Sequence, residues 1–349
     1  MNVLSLFDGM SCGRIALERA GIKVEKYFAC EIDKYAVKIS QKNYPDIIQL
    51  GDVTQVKLYK TPNGVHVIEG GSNGSGLTPK FAGGSIDLLI GGSPCQSFSV
   101  AGDGSGFDGS SKLFWEYVRL LKEARALNPN VKFFLENVKM KKEWQDIISD
   151  AVGVQPIEFN SKLVSAQNRP RLYWTNIEGF ELPEDKGIVL ADILEDEVEE
   201  KYYLSDKAID YMDRERQPGK SRWEFHKNDT EGKSACLTAN MYKGVPYGVI
   251  RLDKCNQIAT LDMKGNDSIR RVYDENGKSP CLTTSTGGHR QPKVLDRERE
   301  MARKLTPLEC ERLQTVPEGY TEGVSNTQRY KMLGNGWTVD VIFEFFKLL

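Results

Sequence analysis

Short apolar runs alternate along this chain with longer stretches in which apolar side chains recur every three or four positions, and that alternation predicts repeated strand–helix–strand units. Val3-Leu4-Ser5-Leu6-Phe7 reads as a first strand, followed by a helix carrying Ile15, Ala16, Leu17 and Ala20 on its apolar face. Lys26-Tyr27-Phe28-Ala29-Cys30 and Ile47-Ile48-Gln49-Leu50 read as the next two strands. Further on, Ile86-Asp87-Leu88-Leu89-Ile90 and Val131-Lys132-Phe133-Phe134-Leu135 flank a helical pattern through Leu113, Phe114, Tyr117, Leu120, Leu121 and Ala124. A crossover of this kind makes its two strands parallel neighbours. Near the end, Thr306-Pro307-Leu308-Glu309 combines a capping threonine, a proline in the first turn and a glutamate three positions on, which is a strong helix start. A last helix presents Val339, Ile342, Phe343 and Phe346 on one face, with Asn335 ahead of its N-terminus. The predicted class is α/β.

Ligands of open α/β sheets bind beyond the carboxyl ends of the strands. The turn Gly91-Gly92-Ser93-Pro94-Cys95-Gln96 follows one strand directly, so Cys95 is either a nucleophile at that edge or a small buried hydrophobe. Glu136 follows the neighbouring strand and emerges at the same edge, where a carboxylic acid can supply a proton while a thiol attacks. The alternative for Glu136 is a loop or capping carboxylate. The first turn, Asp8-Gly9-Met10-Ser11-Cys12-Gly13, lacks the G-x-G-x-x-G spacing that admits a pyrophosphate. Glu31, at the end of the second strand, stands where a ribose diol is held, and Asp52 offers a carboxylate to an adenine amino group. A nucleoside ligand without pyrophosphate fits both, and S-adenosylmethionine is the obvious one.

Phe7-Asp8-Gly9-Met10-Ser11-Cys12-Gly13, Ser93-Pro94-Cys95-Gln96, Glu136-Asn137-Val138, Gln167-Asn168-Arg169-Pro170-Arg171 and Leu333-Gly334-Asn335-Gly336-Trp337 resemble, in order and rough spacing, the motifs of DNA cytosine-5 methyltransferases. The stretch 112–121 and the Gly336-Trp337 pair are closer to the de novo mammalian branch and its bacterial and phage relatives. The resemblance implies a Rossmann-like, S-adenosylmethionine-dependent methyltransferase core with a smaller basic, strand- and loop-rich target-recognition domain. It implies methyl transfer to carbon 5 of a cytosine flipped out of double-stranded DNA, with Cys95 forming the covalent adduct, Glu136 acting at ring nitrogen 3, and Arg169 and Arg171 positioning the base and Glu136. For the cofactor it implies Phe7, Gly9 and Gly13 around the methionine portion, Glu31 on the ribose, Ile32 and Val53 against adenine, and Asp52 on its amino group. Pro94, Leu113, Asn335 and Trp337 would complete that pocket, with Gly336-Trp337 departing from the commoner motif.

Composition adds limits. A chain of 349 residues, 40% hydrophobic, builds one large core and a smaller lobe. It has neither a run of eighteen apolar residues nor a secretion leader, so a soluble, cytoplasmic protein without a membrane span is expected. The seven cysteines are odd in number and lack any C-x-x-C, which reads as reduced thiols and no metal site. Net charge is −2, yet residues 201–304 hold 21 Lys and Arg against 15 Asp and Glu, leaving 26 against 34 elsewhere. That split suggests a basic lobe on an acidic body, suited to DNA phosphates. Within it, Glu231-Gly232-Lys233-Ser234-Ala235-Cys236-Leu237-Thr238 recurs as Asn276-Gly277-Lys278-Ser279-Pro280-Cys281-Leu282-Thr283, two turn-and-strand units expected to bring lysines and hydroxyls toward DNA.

The expected division is a catalytic and cofactor-binding core over 1–178, a hinge and target-recognition domain over 179–304, and a segment over 305–349 returning to the core. The acidic connector 190–200 reads as a solvated helix face or hinge. The glycine-rich stretch 97–111 reads as a lid over the target base, and residues 60–84 as a surface insertion without an assigned role. An RNA cytosine methyltransferase on the same core and a catalytically silent DNA-binding scaffold are the rival readings. The family's habits leave room for a homo-oligomer and a cognate restriction endonuclease, which nothing in the sequence decides.

Overall fold

The computed structural model describes residues 1–64, 66–70, 80–82, 84–94, 113–203, 257–260, 271–282, 293–296 and 301–349. The apolar runs become strands at the expected places: β1 (Asn2–Leu6), β2 (Lys26–Cys30) and β3 (Ile48–Gln49), then β7 (Leu88–Gly91) and β8 (Lys132–Val138) after an intervening small sheet. That sheet, β4 (Lys57–Lys60), β5 (His66–Glu69) and β6 (Lys80–Ala82), is antiparallel and occupies much of the stretch expected to be a plain surface insertion. Two further strands, β9 (Ile157–Asn160) and β10 (Pro170–Thr175), complete a seven-stranded sheet of order β3-β2-β1-β7-β8-β10-β9. β1, β2, β3, β7 and β8 run parallel, and only β10 is antiparallel to its neighbours. Strand order reverses between β1 and β7, which opens a crevice at their carboxyl ends.

Period-two alternation gives the sheet two apolar faces. Val3, Leu88, Ile90 and Phe134 join one core cluster; Leu4, Leu6, Leu89, Phe133 and Leu135 join the other. The helices α1 (Cys12–Arg19) and α2 (Lys34–Asn43) cover the first face, and α3 (Phe114–Leu127) and α4 (Lys142–Val152) cover the second. After residue 304 the chain returns through α5 (Pro307–Leu313), α6 (Asn326–Asn335) and α7 (Val339–Phe346). α5 has the predicted capping box: Thr306 accepts from Glu309 N at 3.1 Å, and the Glu309 carboxylate accepts from Thr306 N at 2.8 Å. No described helix is long and apolar enough to cross a membrane.

Four local expectations need correction. β8 does not stop at Leu135 but runs through Glu136 to Val138, because β10 pairs along that whole length. α7 buries Val341 and Phe345 as well as Val339, Ile342 and Phe346, leaving Phe343 half-buried, since α1 packs against it in addition to the sheet. The acidic connector forms two short 3-10 turns, Leu190–Ile193 and Glu200–Tyr202, and anchors itself with buried Leu190 and Ile193 rather than exposing one helix face. Asn335 closes α6 instead of opening α7, whose N-cap is Thr338.

Between residues 257 and 304 the described strands β11 (Gln257–Thr260), β12 (Arg271–Tyr273), β13 (Lys293–Asp296) and β14 (Met301–Lys304) form a four-stranded sheet. The second copy of the internal repeat lies against the core, not toward a free surface. Lys278 Nζ donates to the carbonyls of Lys162 (3.1 Å) and Ile188, while Ser279 exchanges backbone bonds with Ala166 and Asn168 in the loop before β10. A lysine that satisfies buried carbonyls is not available to DNA. The first copy, 231–238, lies outside the described residues.

One aromatic side chain gathers the rings on the first face of the sheet. Phe134 packs its ring against Tyr173, Trp337, Phe345 and Phe346 at centroid separations between 5.1 and 5.8 Å. Phe134→Ala is expected to lower unfolding free energy by about 3–5 kcal/mol, read as a drop in the urea midpoint. A midpoint within error of the parent would show that the contact is not central.

Candidate active site

The crevice is lined first by the turn after β1. Phe7, Gly9 and Ser11 all take positive φ (58°, 59° and 66°), so the chain doubles back sharply enough for α1 to start beneath the crevice. Two non-glycine residues in that region represent stored strain. The turn is held from within: Asp8 accepts from Tyr27 OH at 2.8 Å and from Ser11 Oγ at 2.5 Å, and Asp8 N donates to Cys30 O. Burial pushes the Asp8 carboxyl up to about 6, against the opposing effect of its hydroxyl donors. A Cβ on Gly13 would lie 2.4 Å from Ile90 Cδ1, so glycine lets α1 approach β7; a Cβ on Gly9 would meet open space.

The neighbouring strand ends supply carboxylates. Glu31 Oε2 accepts from Gly9 N, and its Oε1 from Ile32 N and Asp33 N, all at 2.8 Å. Beside it Ile32 is 73% exposed, the most exposed large apolar side chain among the described residues. Asp52 caps the short 3-10 turn Val53–Gln55 through one oxygen, leaving the other for a donor, and Val53 is buried at its side. That turn is braced by Arg119, which donates to Val53 O (3.3 Å) and Val56 O (2.8 Å) while pairing with Glu116 and Glu123. An open space at Gly9, two carboxylates and an exposed apolar side chain between them fit a nucleoside with a ribose diol and an exocyclic amine.

The reactive side of the crevice is built where β7, β8 and β10 meet. Opposition of Glu136 to Tyr173 and of Val138 to Arg171 puts Glu136 and Arg171 on the same face of the sheet as diagonal neighbours. Arg171 Nε contacts Glu136 Oε1 at 3.0 Å, and Trp337 Nε1 donates to Glu136 Oε2 at 3.1 Å. Gly92 leaves room for this arrangement, since a Cβ there would stand 2.9 Å from both Glu136 Oε2 and Trp337 Nε1. Asn137, next to Glu136, donates through Nδ2 to Ser93 Oγ at 3.1 Å, anchoring the turn that leads into Cys95. Cys95 itself and the 97–111 stretch lie outside the described residues. Pro94 and Leu113 flank that gap, and Leu113 is the N-cap of α3.

Arg169 is used differently from Arg171. Its guanidinium is buried and donates to the carbonyls of Leu282 (3.0 Å), Gly334 (3.1 Å) and Gly336 (3.0 Å), and to Cys281 Sγ at 3.2 Å. It therefore clamps the 281–282 stretch and the C-terminal wall to the loop before β10. Exposed Asn335 and half-buried Trp337 are held by that clamp at the mouth of the crevice. Asn137 and Cys281 stood in the sequence inside quoted motifs, but no periodicity or charge pattern marked them for a role.

Residues 1–147 and 159–349 match the family described as C-5 cytosine-specific DNA methylase. The chain belongs to that family. Among its relatives, the orphan methyltransferase M.Rho11sI of Bacillus phage rho11s is 26% identical over an alignment spanning 100% of this chain and 97% of that protein. The type II methyltransferase M.HpaII of Haemophilus parainfluenzae is 29% identical over 97% of this chain and 86% of its own length. The fold is similar to that of the Entamoeba histolytica methyltransferase EhMeth (TM-score 0.63, 15% identity, 100% and 97% covered). It is also similar to a putative DNA modification methyltransferase encoded within an E. coli prophage (TM-score 0.59, 20% identity, 100% and 98% covered). The expected α/β methyltransferase core and the cytosine C-5 DNA methyltransferase assignment both hold.

Asp8 gives the crevice a pH signature. The folded state keeps its proton up to about pH 6, whereas the unfolded chain releases it near 3.8, so this contribution to stability is complete below 3.8 and is lost as pH rises through 6. Asp8→Asn cannot titrate. Its melting temperature relative to the parent should therefore rise between about pH 4 and 6 and level off above that, whatever the constant offset; a flat difference across that range would contradict the raised carboxyl.

Proposed function

We propose that this methyltransferase moves the methyl group of S-adenosylmethionine to carbon 5 of a cytosine flipped out of duplex DNA, with Cys95 as the nucleophile and Glu136 as the acid at ring nitrogen 3. The observation carrying this reading is the pair of donors on Glu136, Arg171 Nε at one oxygen and Trp337 Nε1 at the other, directly beside the turn leading into Cys95. Bound in the crevice, S-adenosylmethionine supplies an electrophilic sulfonium methyl. Glu31 would hold its ribose, Asp52 its amino group, Ile32 and Val53 its adenine faces, and Phe7, Gly9, Gly13, Pro94, Leu113, Asn335 and Trp337 the remaining walls.

Carbon 5 of cytosine is a poor nucleophile until electrons are pushed into the ring. The Cys95 thiolate adds to carbon 6, the electron pair of the 5,6 double bond moves toward carbon 5 and nitrogen 3, and a proton or hydrogen bond from Glu136 stabilises the charge arriving at nitrogen 3. Carbon 5 would then take the methyl carbon as the donor's methyl–sulfur bond breaks, its electron pair leaving on a neutral thioether sulfur. Loss of the carbon 5 proton returns an electron pair to the ring and expels the thiolate from carbon 6, restoring aromaticity. Arg171 keeps Glu136 oriented, and Arg169 acts at one remove by fixing the walls. Ring chemistry of this kind requires the base outside the duplex.

Double-stranded DNA is the substrate this reading adopts, with the 179–304 region gripping it and the 305–349 segment closing the core. The Bacillus phage relative is named an orphan methyltransferase, which favours modification without a partner nuclease and lends the cognate endonuclease no support.

Cys95→Ala and Glu136→Gln separate the two roles. With duplex DNA carrying 5-fluorocytosine and the methyl donor, the parent should form a covalent protein–DNA band resistant to denaturant, and Cys95→Ala none. Glu136→Gln should form it at least about 100-fold more slowly. Capture by Cys95→Ala, or labelled methyl incorporated into transfer RNA but not duplex DNA, would defeat the proposal.

A further inference from the structure

Cys281 sits between the two arginines of the site and belongs to neither the core nor the C-terminal wall. Arg169 Nη1 reaches its sulfur at 3.2 Å and Arg171 Nη2 at 3.5 Å. From Arg171 the chain of contacts continues through Nε to Glu136 Oε1, and from Arg169 through Nη2 to Gly334 O and Gly336 O. Gly336 is followed by Trp337, whose indole N–H returns to Glu136 Oε2. The contacts thus close a ring through four separate stretches of chain: β8, the start of β10, the 276–282 segment and the turn after α6.

We propose that Cys281 is a positioning residue for methyl transfer: as shared acceptor for Arg169 and Arg171, its sulfur sets the orientation of Glu136 and couples that orientation to the recognition segment. The proposal rests on Glu136 acting at the base, as above. Arg171 is fixed at three points, by Pro170 O on Nη1 at 2.8 Å, by Cys281 on Nη2 and by Glu136 on Nε. With the sulfur gone, Nη2 loses that acceptor and the guanidinium is held at two points instead of three, while two cations are left facing each other without a polarisable atom between them. Burial pushes the Cys281 thiol up, but the two guanidinium charges outweigh it and leave the thiol below its ordinary range, in keeping with an acceptor role.

The segment bearing Cys281 is itself fastened to the loop before β10, which gives the coupling a rigid path. Ser279 N donates to Ala166 O at 2.5 Å, Asn168 N to Ser279 O at 2.7 Å, and Leu282 N to Gln167 Oε1 at 2.9 Å. Any shift of the recognition segment on engaging DNA therefore moves the sulfur, and with it the Arg171 contact to Glu136.

The test compares Cys281→Val, which fills the volume without an acceptor, with Cys281→Ser, which keeps one; Cys281→Ala replaces the valine variant if the branched side chain prevents folding. Steady-state methylation of duplex DNA is measured across pH for these, the parent and Glu136→Gln, alongside melting temperatures. Cys281→Val is expected to lower kcat about tenfold with the KM for S-adenosylmethionine within about twofold. The limb of its pH profile that vanishes in Glu136→Gln should move by about half a unit or more, and Cys281→Ser should stay near the parent in both respects. Parent-like kcat and pH profile in Cys281→Val, or equal impairment of the serine and valine variants, overturns the proposal. Parent-like activity in Glu136→Gln would instead overturn the reading of Glu136 on which it rests.

Discussion

A carboxylate taken largely out of water must be surrounded by donors, and much of this structure follows from meeting that need at Glu136. Its side chain and that of Arg171 are only 12% and 14% exposed. Desolvating such a pair costs several kcal/mol per ion, which good geometry and further hydrogen bonds must offset. The antiparallel register of β10 against β8 supplies the guanidinium, and the C-terminal turn supplies the indole N–H. Neither donor is near Glu136 in sequence. The single reversed strand in an otherwise parallel stretch of sheet is thus also what brings a guanidinium to Glu136.

The return of the chain after residue 304 depends on buried charge in the same way. Glu309 is fully buried and receives both terminal nitrogens of Arg303 at 2.9 and 2.8 Å. Glu311, also fully buried, receives Arg329, Gly319 N and Thr321 N. These pairs fix α5 and α6 relative to β14, and through Gly334 and Gly336 they fix the wall carrying Trp337. Removing one partner of such a pair is far more damaging than replacing both, so the segment returning to the core is specified by matched charges as much as by apolar area. The same fact alters the charge arithmetic of residues 201–304, because Lys278, Lys293 and Arg303 are turned inward and leave the surface less basic than the count suggests.

Local signals were legible where a local cause was sufficient. The first βαβ units, the capping box of α5 and the carboxylates at the ends of β2 and β3 all depend on side chains within a few positions of one another, and each lies where the pattern placed it. β9 and β10 were not anticipated, because a strand at the sheet's far side is recognisable only once β8 exists to pair with it. Asn335 was assigned to the wrong end of a helix for a related reason: Gly336 and Trp337 break the helix there, and that break is stabilised by Arg169 from about 165 residues away.

What the amino-acid order determined alone was the inventory: an α/β sheet with a glycine-containing turn after β7, a glutamate one strand over, an arginine-bearing motif, and carboxylates at the ends of β2 and β3. Tertiary structure decided how the inventory is used. It made Arg171 the partner of Glu136 and Arg169 a clamp on carbonyls, turned Lys278 inward, gave Trp337 a hydrogen bond to the acid, and set Cys281 between two guanidiniums. These assignments depend on which donors and acceptors face one another across strands and returning loops, and hydrogen bonds act over about 3 Å, a range that spacing along the chain does not encode.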